Sequence, residues 1–324
     1  MLSSCAKTSE TSSSATSAGG VREIKFSHGQ GLCNMPLFYS AEKDLFKQYG
    51  LKGTVFLSTS GGDQATQLAV GDVDMGVIPY TNGLAAYTRD GGFQVVAGSG
   101  LRGLIVVAKP EIKTFDDLKG KKFGTFQADT LEMLAYDYLK KNKLTYKDVE
   151  MVYFGDNVEA LNAFLVGQVD AVTLIEPYAT KGLTESKGNR LGDGTDLYGA
   201  TFPDCVLAAR KELIEKEPET VKNVIRTFFQ AEHLIESSFE EAAKTTIDKY
   251  YKTDMASLLA AAKAQPPGVD IRNQKQFMFA RAKSMKELNY INKDPDEGFV
   301  NFSLLEAVIK ESPDLWQKVK VKSA

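Results

Sequence analysis

Gln67-Leu68-Ala69-Val70-Gly71-Asp72-Val73-Asp74 and Phe164-Leu165-Val166-Gly167-Gln168-Val169-Asp170 carry the same run, Val-Gly-x-Val-Asp. In both, a helix-like segment stops at glycine, which tolerates the left-handed backbone that ends many helices. Both then enter an apolar strand-like run, Met75-Gly76-Val77-Ile78 in the first and Ala171-Val172-Thr173-Leu174-Ile175 in the second. The shared helix–Gly–strand context predicts two related α/β lobes.

Outward from the first copy, Glu23–Phe26 and Thr54–Leu57 read as strands, and Pro36–Tyr49 as a helix stopped by Gly50. Ser60-Gly61-Gly62-Asp63 opens the helix before the repeat. A helix near 81–89 and strands near 93–98 and 103–108 follow. Around the second copy, Thr114–Gly120 reads as a short helix, and Lys122–Phe126 and Met151–Phe154 as strands. Asp129-Thr130-Leu131-Glu132 fits a capping box at a helix start, and Val158–Val166 is helical. This alternation specifies α/β lobes with largely parallel sheets. After a last strand at Cys205–Ala209, helices are expected at 217–237, 239–250, 254–263, 273–287 and 302–311. Their mixed charges read as solvated faces.

The 324 residues suit two lobes of roughly 100–200 residues each. A hydrophobic content of 43% describes a packed globular chain. With 39 basic and 42 acidic residues there is no basic surplus for nucleic acid. Three cysteines and two histidines are too few for a zinc scaffold or a disulfide framework. Residues 1–20 are rich in Ser, Thr, Ala and Gly and read as a flexible linker. Leu2-Ser3-Ser4-Cys5 resembles the end of a bacterial lipobox, which would make Cys5 a lipidated membrane anchor.

Several segments resemble one family in order: Pro36–Phe46 with Gly50-Leu51, Ser60-Gly61-Gly62, Gly71–Val77, Val106–Lys109, Thr114–Lys122, Gly167–Ala171 and Glu176-Pro177-Tyr178-Ala179. The family is the ABC-importer solute-binding proteins for sulfonates, taurine, nitrate and thiamine-pyrimidine precursors. The resemblance implies a two-lobed type II periplasmic-binding-protein fold with a helical C-terminal region. Lobe I would be 21–106 plus 206–324, and lobe II 107–205, with crossings near Leu104–Pro110 and Thr201–Leu207. It also implies a small-molecule ligand, a partner permease and ATPase, a monomeric extracytoplasmic protein (periplasmic or lipid-anchored), no cofactor, no metal and no catalytic residues.

In open α/β sheets, ligands bind beyond the carboxyl ends of the strands. The loops there supply the ligand-binding candidates His28, Asn34, Ser60, Gly61, Gly62, Tyr80, Ser99 and Arg102 from lobe I. Lobe II supplies Gln127, Asp129, Thr130, Asp156, Glu176, Tyr178 and Phe202. Ser60-Gly61-Gly62 would bring backbone N–H groups to a ligand, and Arg102 would clamp a carboxylate or sulfonate or else pair with a nearby acid. Asp129 as an N-cap already uses its helix N–H groups and repels an anion. Glu176 would accept from an amine or amidine, and Tyr178 would stack or hydrogen-bond. Asp63, Asp156 and Asp204 share these loops, against only Arg102 and His28. The balance favours a neutral or amine-bearing ligand, heteroaromatic in one form. The competing readings are a thiamine-pyrimidine-synthase-like enzyme on the same fold, a binder of sulfonate- or nitrate-type anions, and the sensing half of a transcription regulator. The synthase branch uses a clustered Cys motif, whereas Cys33 and Cys205 stand alone in this sequence.

Overall fold

The computed structural model describes residues 20–322; Cys5 and the expected linker up to residue 19 lie outside the described residues. The first series runs β1 (Arg22–His28), α1 (Met35–Glu42), β2 (Leu51–Leu57), α2 (Gly61–Val70), β3 (Met75–Pro79), α3 (Tyr80–Asp90) and β4 (Phe93–Gly98). The second runs β5 (Leu104–Ala108), β6 (Lys122–Thr125), α4 (Thr130–Lys141), β7 (Glu150–Tyr153), α5 (Asn157–Leu165), β8 (Ala171–Ile175), α6 (Tyr178–Ser186), β9 (Asn189–Gly192) and α7 (Thr195–Tyr198). The chain then forms β10 (Cys205–Arg210), α8 (Lys211–Lys216), α9 (Pro218–Ser237), α10 (Phe239–Tyr250) and α11 (Met255–Ala261). It ends in α12 (Lys275–Ala280), α13 (Ala282–Glu287), α14 (Ser303–Glu311) and α15 (Pro313–Lys318). No described helix is long and apolar enough to cross a membrane.

Two five-stranded sheets result, ordered β2-β1-β3-β10-β4 and β7-β6-β8-β5-β9. They share one plan. The second strand pairs in parallel on both sides (β1 with β2 and β3; β6 with β7 and β8). The fourth strand runs antiparallel to both its neighbours, β10 to β3 and β4, and β5 to β8 and β9. Each fourth strand is supplied by the chain as it crosses from the other series. By sheet membership the crossings therefore precede Leu104 and Cys205, slightly upstream of the expected divisions after 106 and 205.

The repeated pentapeptide forms the same joint twice. Gly71 and Gly167 take left-handed backbone, with φ of 88° and 78°. Asp74 then accepts the Lys25 N–H of β1 on Oδ2 at 2.9 Å, and Asp170 accepts the Lys122 N–H of β6 at 3.0 Å. Each aspartate also donates its own N–H to the same lysine's carbonyl, at 2.9 and 2.8 Å. The joint thus ties the end of a helix to the second strand of its sheet.

The cores follow from the apolar strands: Ile24, Phe26, Met75, Val77 and Phe93 in one sheet, and Val106, Phe123, Val172 and Leu174 in the other, are fully buried. In the C-terminal region, α9 buries Val221, Val224, Ile225, Phe228 and Ile235 at helical spacing. Two expected helices are shorter than predicted. The Pro36–Tyr49 helix stops at Glu42 because Asp44 turns left-handed (φ 53°), and a 3-10 turn covers Leu45–Tyr49. The 273–287 helix divides at Arg281, whose guanidinium pairs with Asp137 of α4 and lies over Tyr198 and Phe277 at 5.1 and 5.3 Å.

Candidate functional site

The carboxyl ends of the two sheets face each other across a cleft of about 540 Å³. The N-termini of α2, α4 and α5 open onto it, and each is already capped by its own side chain. Ser60 Oγ accepts from Asp63 N at 3.1 Å, and Asp129 Oδ1 from Leu131 N at 3.0 Å. Asp156 Oδ1 accepts from Val158 N and Glu159 N at 2.8 and 2.9 Å. The capping box at α4 is displaced by one residue, since Glu132 reaches back to Ala128 N (2.7 Å) rather than to Asp129 N.

The two sides approach closely. A Cβ on Gly61 would lie 2.5 Å from Asn82 Oδ1 and 2.9 Å from Asp129 Oδ2, so only glycine fits there. Across the gap Asn82 Nδ2 donates to Gln127 O at 3.2 Å, and Tyr290 donates to Glu132 at 3.0 Å. Thr130 Oγ donates to Asp204 at 2.7 Å.

The charged lining comprises Asp129, Asp156 and Asp204 against Arg89 alone, and Arg89 is paired with Asp90 at 2.6 Å. Burial pushes the Asp129 carboxyl up to about 7, partly opposed by its bond from the Leu131 N–H. Burial raises Asp204 as well, against hydrogen bonds from Thr130, Cys205 and Gln265. Asn34 Oδ1, Asn82 Oδ1 and Gln30 Oε1, all in the lining, are buried acceptors without a partner among the described residues. For the two asparagines the amide orientation is set by its other end: Asn34 Nδ2 donates to Gly31 O at 3.1 Å and Asn82 Nδ2 to Gln127 O. Fixed, unsatisfied buried acceptors are costly unless a ligand or water donates to them.

Of the predicted residues, Asn34, Ser60, Gly61, Gly62, Gln127, Asp129 and Asp156 line the cleft. The others do not, for reasons of packing. His28 is buried edge-on to Phe38 (4.7 Å) and Tyr250 (6.1 Å), hydrogen-bonded to Gly29 O, and burial lowers its pKa. Tyr80 is buried against Phe277, Phe202 packs on Tyr198, and Ser99 Oγ is spent on Cys33 O at 2.6 Å. Thr130 supports Asp204 from behind. Glu176 is buried and turned onto Thr180, accepting its N–H at 3.0 Å and its hydroxyl at 2.9 Å; burial pushes this carboxyl up to about 7. Tyr178 is fully buried, its hydroxyl accepting from Lys252 N at 3.4 Å. Arg102 points away, donating to Lys263 O at 3.0 Å beside a second hollow of about 280 Å³.

The ligand-binding candidates read from the sequence did not include Gln30, Asn82, Phe154 and Tyr290, which also line the cleft together with Phe126. Gln30 and Asn82 follow strand ends, but Tyr290 comes from the C-terminal region and carried no signal. Sequence reasoning also missed the meeting of Cys33, Asp204 and Cys205. Their sulfur and carboxylate atoms lie within 4.8 Å of one another at the cleft, the set of side chains best able to hold a metal among the described residues.

A family model described as "NMT1/THI5 like" matches residues 34–236. A Brucella abortus protein named as a candidate binding protein is 29% identical over 235 residues, 69% of this chain and 70% of that one. The 4-amino-5-hydroxymethyl-2-methylpyrimidine phosphate synthase THI5 of Saccharomyces cerevisiae is 26% identical over 238 residues, 66% of this chain and 67% of that one. Among solved structures, the alkanesulfonate-binding protein SsuA of Xanthomonas axonopodis pv. citri bound to MOPS superposes with a TM-score of 0.77 at 19% identity, covering 88% of this chain and 99% of that one. That likeness establishes the fold, a type II periplasmic binding protein with two mixed sheets and a helical C-terminal region.

Proposed function

The chain belongs to the NMT1/THI5-like family, and on that premise we propose that it is the extracytoplasmic solute-binding component of an ABC importer. It acts as a monomer, holds a small amine-bearing or neutral organic ligand between its two lobes, and delivers it to a permease. Cys5 is the expected point of lipid attachment in this reading.

The observation that carries the ligand class is the polarity of the cleft. Asn34 and Asn82 present fixed acceptors with nothing to accept from, and the carboxyl groups of Asp129, Asp156 and Asp204 stand beside them. The helix N-termini that would otherwise hold a sulfonate or nitrate are occupied by side-chain caps, two of them carboxylates. A ligand rich in N–H donors satisfies this lining, whereas an anion would face repulsion. Phe126, Phe154 and Tyr290 add aromatic surface suited to a flat heterocycle such as an aminopyrimidine. Binding rather than synthesis is favoured because the lining contains neither lysine nor histidine.

A thermal-shift screen of the whole chain tests both parts, since a ligand of the folded state raises the melting temperature by mass action. Aminopyrimidines or amidines are expected to stabilise the protein and to be recovered unchanged. Stabilisation by alkanesulfonates or nitrate alone would refute the ligand class, and turnover of a stabilising compound would refute the transport role.

A further inference from the structure

Cys33 follows β1 and Cys205 begins β10, 172 residues later, yet their sulfurs lie 2.6 Å apart. One element holds them side by side. Ser99 Oγ donates to the Cys33 carbonyl at 2.6 Å, while Ser99 N and Gly100 N donate to the Cys205 carbonyl at 3.3 and 3.4 Å. Both cysteines are buried, and both line the cleft. We propose that Cys33 and Cys205 form a disulfide on the floor of the cleft when the chain meets a disulfide oxidant. The bond fastens the loop after β1 to the strand by which the chain re-enters the first sheet.

The alternative use of two thiols beside a carboxylate is a zinc site with Asp204. Zinc–sulfur bonds of about 2.3 Å in tetrahedral geometry hold two thiolates roughly 3.8 Å apart, well beyond the separation here. A covalent S–S bond of about 2.05 Å needs a much smaller adjustment. Zinc would neutralise the two thiolates but not the carboxylates of Asp129 and Asp204 beside them; a disulfide adds no charge to that lining.

The step is a thiol–disulfide exchange. One cysteine sulfur attacks the oxidant disulfide and releases its first thiol. The partner cysteine then displaces the second, leaving the Cys33–Cys205 bond. Two protein thiols are oxidised, and one oxidant disulfide is reduced to two thiols that carry the two protons. Burial pushes the Cys33 thiol up to about 12, so little thiolate is present in the closed cleft and exchange proceeds through openings of the molecule. The extracytoplasmic reading bears only on where an oxidant is met; the pairing itself does not depend on it.

The test treats the full chain with oxidised glutathione, unfolds it in acid denaturant, alkylates free thiols and maps peptides by mass spectrometry. The expected result is a linked Cys33–Cys205 peptide pair lighter by two hydrogens, about 2 Da. Neither cysteine is then alkylated, a dithiol reductant reverses the change, and the oxidised form melts at a higher temperature. The Cys33→Ser, Cys205→Ser double variant should show no redox-dependent melting. Persistence of both thiols as alkylated peptides overturns the proposal, as does stoichiometric zinc uptake that blocks oxidation. Because no cleft ligand enters the experiment, its outcome is independent of the transport reading.

Discussion

Asp129 caps α4 with one carboxylate oxygen and holds the other beside Gly61 at the start of α2. Burial raises its carboxyl from the ordinary 3.8 to about 7. Between those values the folded state binds more protons than the unfolded state, so this residue's contribution to stability is complete at low pH and is lost as pH rises through about 7. Glu176 has the same sign; His28, held below its ordinary value, opposes them on the acid side. Comparing a variant with the parent protein isolates Asp129. Asn is also a good N-cap, so Asp129→Asn keeps the cap and removes the buried charge. Denaturant unfolding of the ligand-free chain should find the variant more stable by about 2 kcal/mol at pH 8, with most of that gain gone at pH 5. The N-cap Asp129 was legible in the sequence because capping is a local contest for N–H groups. His28, Tyr178 and Phe202 lie outside the cleft lining, which the sequence could not show because an aromatic or histidine at a strand end looks the same whether it faces ligand or core. Packing decides, as in the stack of Phe38 on Tyr250 at 4.0 Å that encloses His28.

At the scale of elements, the paired joints explain why five residues sufficed to reveal two like halves. The glycine must turn left-handed, a local constraint, and the aspartate must take a strand N–H at the same place in both sheets. Substituting Gly71→Ala or Gly167→Ala should cost about 1–2 kcal/mol through backbone strain. Removing either carboxylate, Asp74→Ala or Asp170→Ala, should cost roughly 0.5–1.5 kcal/mol by removing the bond to the exposed Lys25 or Lys122 N–H. Denaturant unfolding of the four variants checks both statements, and parallel effects at equivalent positions are the expected signature. The division of the 273–287 helix was not legible in the same way. Its cause is an ion pair to a helix more than a hundred residues distant, and no local signal marks Arg281 as a break.

For the whole molecule, the C-terminal region closes over α4 of the second series. Tyr290 donates to Glu132, Tyr136 to Glu287 at 2.6 Å, and Lys140 pairs with Glu287 at 2.8 Å, alongside the Arg281–Asp137 pair. From the sequence these charges read as solvated faces, because partners so far apart leave no periodic trace. The succession of strands along the chain and the two-lobed plan were legible; the antiparallel fourth strand that makes each sheet mixed rather than largely parallel was not, nor was which side chains meet across the gap. On the proposed reading, a cleft with these acidic walls would take up a donor-bearing ligand with release of the Asp129 proton. Calorimetric titration with an amidine whose charge is constant between pH 5.5 and 8 tests this most directly. The account predicts saturable one-to-one binding that strengthens roughly tenfold as pH rises through 7, with that pH dependence weakened in Asp129→Asn. Binding of an alkanesulfonate in place of the amidine, strengthening as the pH falls, would contradict it.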